Sequence, residues 1–304
     1  MPLKVEKAII KTLCYADVFD YPLKLEEIWK RLVEFRIQNS EFRNKLKDPK
    51  LELIKGKDGY YFLKGRKEIV DLRKKREKFS REKLKIADKV LNIFKIIPSV
   101  KLVGITGALA VNNVEEDDDI DLFIITSRNS LWTTRFLVTL FAELMRRRRH
   151  PGDVDVSNKI CLNMFADEDH LAVPKEEQDL FSAHEVVQMK LLWERDNTYY
   201  RLLRANDWVR KYLPNVYEGL LLGEGDKDTS EVAKQRLRLL GWWRNQKGIF
   251  SIFENFLGKF QLWYMRNRRT TEVIQDGIIR FHPQDARIRV MKEYKNRVTI
   301  YNNT

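Results

Sequence analysis

The chain has 304 residues, enough for about two domains that each bury a core of their own, which excludes a miniprotein held together by disulfides or one metal. With 43% hydrophobic and 33% charged residues and only 8 Pro and 13 Gly, the composition is that of a folded, helix-rich globular protein, not of a disordered or fibrous chain. Lys and Arg number 57 against 44 Asp and Glu, a formal charge of +13 that favours polyanionic partners such as nucleic acid or nucleoside triphosphates.

The longest apolar stretches, such as Leu137 to Met145, fall far short of the roughly 20 residues that cross a bilayer, so no transmembrane segment and no membrane partner are expected. The opening Met-Pro-Leu-Lys-Val-Glu-Lys mixes charges and lacks the apolar stretch of a secretory signal, which predicts a cytoplasmic protein. Cys14 and Cys161 each stand among apolar neighbours and read as buried, reduced thiols.

In chain order, Val5, Ala8, Ile9 and Leu13 set a helical period over residues 4 to 16, and Leu25, Ile28, Trp29 and Leu32 set a second beyond the Asp20-Tyr21-Pro22 turn. A third helix starts at Ser40, with Phe42 and Leu46 inward. Leu51 to Ile54 and Tyr60 to Leu63 flank Gly56-Lys57-Asp58-Gly59, which predicts a β-hairpin. Three helices and a hairpin outline a winged-helix-like domain over residues 1–64.

A connecting helix follows over 65–97, with Ile69, Leu72, Phe79, Ile86, Val90 and Phe94 as its inner stripe. Between Lys64 and Lys89 it carries twelve basic and five acidic residues, and a second basic run spans Arg146 to Arg149. A solvated helix face and a basic surface for nucleic acid are the two readings of such runs. Residues 98–175 read as an α/β core with a small mixed sheet: strands at Val100 to Thr106, Asp121 to Thr126 and Lys159 to Phe165, and a helix from Leu131 to Arg149. Residues 176–304 read as a helical C-terminal region, with helices near 175–195, 198–212, 231–245 and 248–268 and a linker from Gly223 to Ser230. The fold class expected is therefore α+β.

The most informative segment runs from Thr106 to Leu122: a strand end, a small-residue turn at Gly107-Ala108, a short helical stretch, an acidic loop and a second strand opened by Asp119-Ile120-Asp121. Side chains alternate along a strand, so Asp119 and Asp121 project to one side. Two carboxylates so close repel each other unless a cation lies between them, and hard divalent ions such as Mg²⁺ take this oxygen-rich setting. Gly107 and Ala108 would offer backbone N–H groups to a phosphate.

This pattern resembles the polymerase-β nucleotidyltransferase superfamily, whose signature is an apolar strand, Gly-Gly or Gly-Ser, about a dozen residues, then Asp-x-Asp opening the next strand. The resemblance covers Val100 to about Phe165. It implies that Gly107 and Ala108 form the phosphate-binding turn and that Asp119 and Asp121 bind Mg²⁺ or Mn²⁺. The serine of the family turn is Ala108 here, and Val111-Asn112 stand where many members have Arg-Gly. Such enzymes use a third carboxylate from a neighbouring strand. The candidates are Asp153 and Asp155, with Asn163 as a degenerate replacement, and Asp155 is preferred.

The resemblance implies two-metal transfer of an NMP group from an NTP to a hydroxyl acceptor: an RNA end, a protein side chain or a small molecule. The alternative is a catalytically silent protein of the same fold, acting as a nucleic-acid-binding or regulatory module through the basic helix. Elsewhere, Phe250, Phe253, Phe256, Leu257, Phe260, Trp263 and Tyr264 form an apolar stripe read as core or interface. His150, His170, His184 and His282 show no metal-ligand spacing, and His184 beside Glu185 reads as a packing or hydrogen-bonding pair.

Overall fold

The computed structural model describes residues 2–46, 53–223, 247–266, 273–275, 277–280 and 286–302. It is a mixed α+β structure. Helix α1 (Pro2–Asp17), strand β1 (Leu23–Lys24), α2 (Leu25–Lys30) and α3 (Asn39–Leu46) precede a hairpin of β2 (Ile54–Lys57) and β3 (Tyr60–Leu63). The loop is tighter than the four residues expected. Lys57 pairs with Tyr60, and Asp58 and Gly59 have φ of 55° and 80°, which is the two-residue turn that Asp-Gly favours. Strand β1 adds to β3, giving a three-stranded sheet in the order β1-β3-β2.

Helix α4 (Ile69–Phe94) follows, and its buried face differs from the apolar stripe expected. Ile69, Arg73, Arg76, Ser80, Lys83, Ala87, Val90 and Phe94 are buried, while Leu72, Phe79 and Ile86 are half-buried. The helical period is right, but three cations sit inside it because each has acceptors within hydrogen-bond reach. Arg73 bonds Glu27 and the Pro22 carbonyl, Arg76 bonds Glu115 and Asn113, and Lys83 bonds the acidic loop described below. Three of the twelve basic residues of the run are thus internal wiring, while Lys64, Lys67, Lys74, Lys75, Lys78, Arg81, Lys85 and Lys89 are exposed.

The main sheet is built from β4 (Val100–Ile105), β5 (Ile120–Thr126), β6 (Ile160–Asp167), β7 (Lys190–Glu194), β8 (Val273–Gln275) and β9 (Ile278–Arg280), in the order β7-β4-β5-β6-β9-β8. Only the β5–β6 pair is parallel. One face, with Val103, Ile105, Leu122 and Ile124, packs on α4 and on α6 (Leu131–Leu144). The other, with Leu102, Phe123 and Ile125, packs on Leu171, Met189 and Leu202. Burial on both faces explains why these strands read as unbroken apolar runs.

The expectation that everything after residue 175 is helical is overturned. Helix α7 (Leu180–Gln188), capped by the Asp179 carboxylate on the Ser182 N–H, ends at Met189, and the chain enters β7. A short apolar run after a helix carries no period of its own, so Leu191-Leu192-Trp193 passed for one more helical turn. Helix α8 (Thr198–Ala205), a 3-10 turn over Asp207–Lys211 and α9 (Pro214–Leu221) replace the single helix expected at 198–212. The expected helix at 231–245 and most of the expected linker lie outside the described residues. Helices α10 (Lys247–Met265) and α11 (Ala286–Asn302) complete the chain as described.

The buried apolar residues of α1 to β3, apart from Tyr60 and Phe62, share one core with Leu180, Ala183, Val187, Leu213, Tyr217, Val290 and Tyr294. The expected boundaries at residues 64 and 176 therefore do not separate cores. On α10 the aromatic stripe is not core either. Phe253, Phe256, Phe260, Trp263 and Tyr264 are exposed, Leu257 is half-buried, and the side chain of Phe250 lies outside the described residues. The buried face carries Glu254, Gly258, Gln261 and Met265, because the Glu254 carboxylate accepts from the backbone N–H groups of Trp132 and Thr133 at the start of α6.

Candidate active site

Strands β4 and β5 run antiparallel, with Ile105 opposite Leu122, so the turn leaving β4 lies beside the residue entering β5. The Thr106 N–H donates to the Asp121 carbonyl at 3.1 Å, and Gly107 follows with φ of 64°. A Cβ at position 107 would stand 2.9 Å from Asp121 Oδ2, so glycine is required there on two counts, conformation and space. The short helix α5 (Gly107–Ala110) is closed by the Asn113 N–H on the Ala108 carbonyl at 2.8 Å, and Gly107 and Ala108 are exposed.

Parallel pairing then sets Asp121 opposite Cys161 on β6. Ligand atoms of Asp119, Asp121 and Cys161 all lie within 4.8 Å of one another, and the three residues are half-buried. Burial first, then the charge of Asp119, pushes the Asp121 carboxyl up to about 7, against a hydrogen bond from Cys161 and the charge of Arg149. The Cys161 thiol is pushed far up by burial and by both carboxylates, so it stays protonated. Arg149 donates to Asp119 Oδ2 at 2.6 Å, with its guanidinium 3.9 Å from Cys161 Sγ. Glu185 on α7 is exposed, and its charge adds to the rise at Asp121.

The loop before β5 is held from below. Lys83 Nζ donates to the carbonyls of Glu116 at 2.9 Å and Asp118 at 2.6 Å. Arg76 bonds Glu115 at 2.5 Å, Asn113 Nδ2 donates to the Phe19 carbonyl at 3.0 Å, and the Tyr21 hydroxyl donates to the Val111 carbonyl at 2.6 Å.

Of the site residues expected from sequence, Gly107, Ala108, Asp119 and Asp121 come together. Asp155 does not join the cluster: it is exposed, and its carboxylate accepts from the Ser157 N–H at 3.0 Å. Asp153 accepts from the His150 N–H and pairs with Lys159, which hold its carboxyl down to about 2. Asn163 is buried farther along β6. The strand position beside Asp121 belongs to Cys161, which sequence reading had set among apolar neighbours. Its signal was the strand alignment itself, since Lys159-Ile160-Cys161 enters β6 as Asp119-Ile120-Asp121 enters β5. Arg149 and Lys83 were missed as individual residues because both lie in charge runs.

Cys14 is buried in the core shared by α1 and α7. His184 is fully buried, stacks on Tyr15 with ring centroids 3.9 Å apart, and pairs through Nδ1 with Gln188, not with Glu185. His150 contacts Glu143 and His170 contacts Asp167, both through carboxylates. No helix among the described residues is long and apolar enough to cross a membrane. No family model, no curated protein and no solved structure matches the chain.

Proposed function

We propose that the protein is a divalent-metal-dependent nucleotidyltransferase of the polymerase-β type, moving an NMP group from an NTP to a hydroxyl acceptor. In this reading the first 64 residues are winged-helix-like and the β4–β6 region is the nucleotidyltransferase core. The observation that carries it is the juxtaposition of the Asp119–Asp121 pair with the Gly107 turn, whose backbone leaves no room for a side chain beside Asp121.

The donor set fits a hard cation. Two carboxylates face each other, and Asp121, at about 7, is short of the positive charge that would ionise it. A bound Mg²⁺ or Mn²⁺ would neutralise triphosphate charge and acidify the acceptor hydroxyl. Asp119 and Asp121 would hold it. Gly107 and Ala108 would meet phosphate oxygens with backbone N–H groups alone, since Ala108 brings no hydroxyl. Arg149, beside Asp119, would add positive charge toward a triphosphate. The acceptor hydroxyl would attack the α-phosphorus in line, and pyrophosphate would leave. With Asp155 outside the cluster and a protonated Cys161 beside Asp121, the reading rests on one carboxylate pair.

That same thiol, together with the Arg149 guanidinium on Asp119, favours a second reading, a catalytically silent module of this fold. The test is incubation of wild type and the Asp119→Asn/Asp121→Asn variant with each α-³²P-labelled NTP, Mg²⁺ or Mn²⁺ and a cell extract. Label transfer by wild type and none by the variant is the expected outcome. No transfer by either, with salt-dependent nucleic-acid binding unaltered in the variant, overturns the enzyme and leaves the module.

A further inference from the structure

Lys83 is 2% exposed, yet its ammonium is fully engaged. It donates to the Glu116 carbonyl at 2.9 Å, to the Asp118 carbonyl at 2.6 Å and to Asn158 Oδ1 at 3.4 Å. The same two carbonyls accept from the segment that leads into β6: Ser157 Oγ donates to Glu116 at 3.0 Å, and the Asn158 N–H to Asp118 at 3.3 Å. One buried cation on α4 therefore ties the loop entering β5 to the loop entering β6. Those two strands carry Asp121 and Cys161, and Asp118 is the residue next to Asp119.

An ammonium carried this far into the protein is costly unless its protons find acceptors, and here three converge on it. Its two shorter bonds go to backbone oxygens, so what it fixes is the path of residues 116–118 and with it the direction in which Asp119 leaves the chain. The neighbouring buried cations of α4 serve other segments. Arg73 holds α2 and Pro22, and Arg76 holds Glu115 and the turn at Phe19.

We propose that Lys83 is the positioning residue of the carboxylate pair, holding Asp119 where it shares a cation with Asp121. This rests on the metal-binding reading of that pair. Position and charge act in opposite directions here, which makes the role separable. Removing a nearby positive charge strengthens cation binding, whereas releasing the loop weakens it.

The experiment is calorimetric titration of Mn²⁺ into wild type, Lys83→Met and Lys83→Gln, with Asp119→Asn/Asp121→Asn as the reference and thermal unfolding to confirm that each is folded. Lys83→Met is expected to bind Mn²⁺ at least tenfold more weakly than wild type. Lys83→Gln, which keeps one donor for a carbonyl, should lie between them, and it decides the matter alone if Lys83→Met does not fold. Unchanged or tighter Mn²⁺ binding by folded Lys83 variants, while wild type binds and the double variant does not, overturns the positioning role and leaves the carboxylate site intact. Failure of wild type itself to bind Mn²⁺ overturns the metal site and the role of Lys83 with it.

Discussion

Arg149 Nη1 lies 2.6 Å from Asp119 Oδ2, so the carboxylate proposed to hold a cation already has a positively charged neighbour. The contact is made by a returning segment. Arg146 adopts φ of 53° at the end of α6, the chain doubles back, and Arg148 bridges to Ile160 in parallel fashion. The Arg149 side chain is 43% exposed, so the pair contributes at most about 1 kcal/mol. Arg149→Met is therefore expected to tighten Mn²⁺ binding by no more than about fivefold, the equivalent of that energy, because the guanidinium no longer competes for Asp119. The same variant should weaken NTP binding, because triphosphate loses a cation. Calorimetric titrations of the metal and of the nucleotide separately test both signs.

Asp121 gives the site a pH dependence of definite sign. Its carboxyl titrates at about 7 in the folded protein and near 3.8 when free, so between those values the folded state binds more protons than the unfolded state. Stability contributed by this group is full below pH 3.8 and is lost as pH rises through 7, with a slope no steeper than about 1.4 kcal/mol per pH unit. Asp121→Asn removes the term. In metal-free buffer its melting temperature should gain on wild type as pH rises from 4 to 7 and hold that gain above. His184 acts oppositely, since burial lowers its pKa and its contribution is lost as pH falls below 6.5. The difference between Asp121→Asn and wild type cancels that histidine, and a flat difference across the window would contradict the Asp121 assignment.

What was legible in the sequence follows from how local each signal is. Strands β4 and β5 and the turn between them combine β-branched runs, a glycine and alternating carboxylates within about two dozen positions, and the Asp119–Asp121 pair emerges where alternation puts it. The rest depended on partners distant in the chain. Strand β7 carries no period of its own and is defined by its pairing with β4, Lys190 opposite Ile105, and β8 and β9 are three residues each. Asp155 followed from nearness to a strand, but only β5–β6 register determines which residue stands beside Asp121, and that residue is Cys161.

The α10 stripe shows how a period can be right and its inward face wrong. Apolar content points to the aromatic side, but Glu254 accepts from the Trp132 N–H at 2.6 Å, the Thr133 N–H at 2.9 Å and the Thr133 hydroxyl at 2.7 Å. Ser130, the residue before α6, makes no such cap itself. Glu254→Ala should therefore cost about 1–3 kcal/mol, the range for a lost cap and an unsatisfied buried donor. Phe256→Ser and Trp263→Ser should stay within about 0.5 kcal/mol of wild type, as exposed substitutions do. Urea unfolding of the three variants tests the inversion, and large losses for the two aromatic variants would show that the stripe is covered after all.

Gly107 offers the sharpest structural probe of the proposed site. Alanine there must accept φ of 64° and place its Cβ 2.9 Å from Asp121 Oδ2. The conformational penalty alone is on the order of 1 kcal/mol. The contact adds a second effect, because Asp121 must turn away, and the carboxylate that turns is the one proposed to share the cation. Gly107→Ala should thus lower stability modestly while abolishing label transfer and weakening Mn²⁺ binding at least tenfold. Ala108→Ser, at an exposed position without these constraints, should leave stability within about 0.5 kcal/mol and add the hydroxyl donor that the turn lacks. Thermal unfolding, Mn²⁺ titration and the labelled-NTP assay on the two variants separate the outcomes. Full activity in Gly107→Ala would mean that the Gly107 turn and Asp121 do not act together.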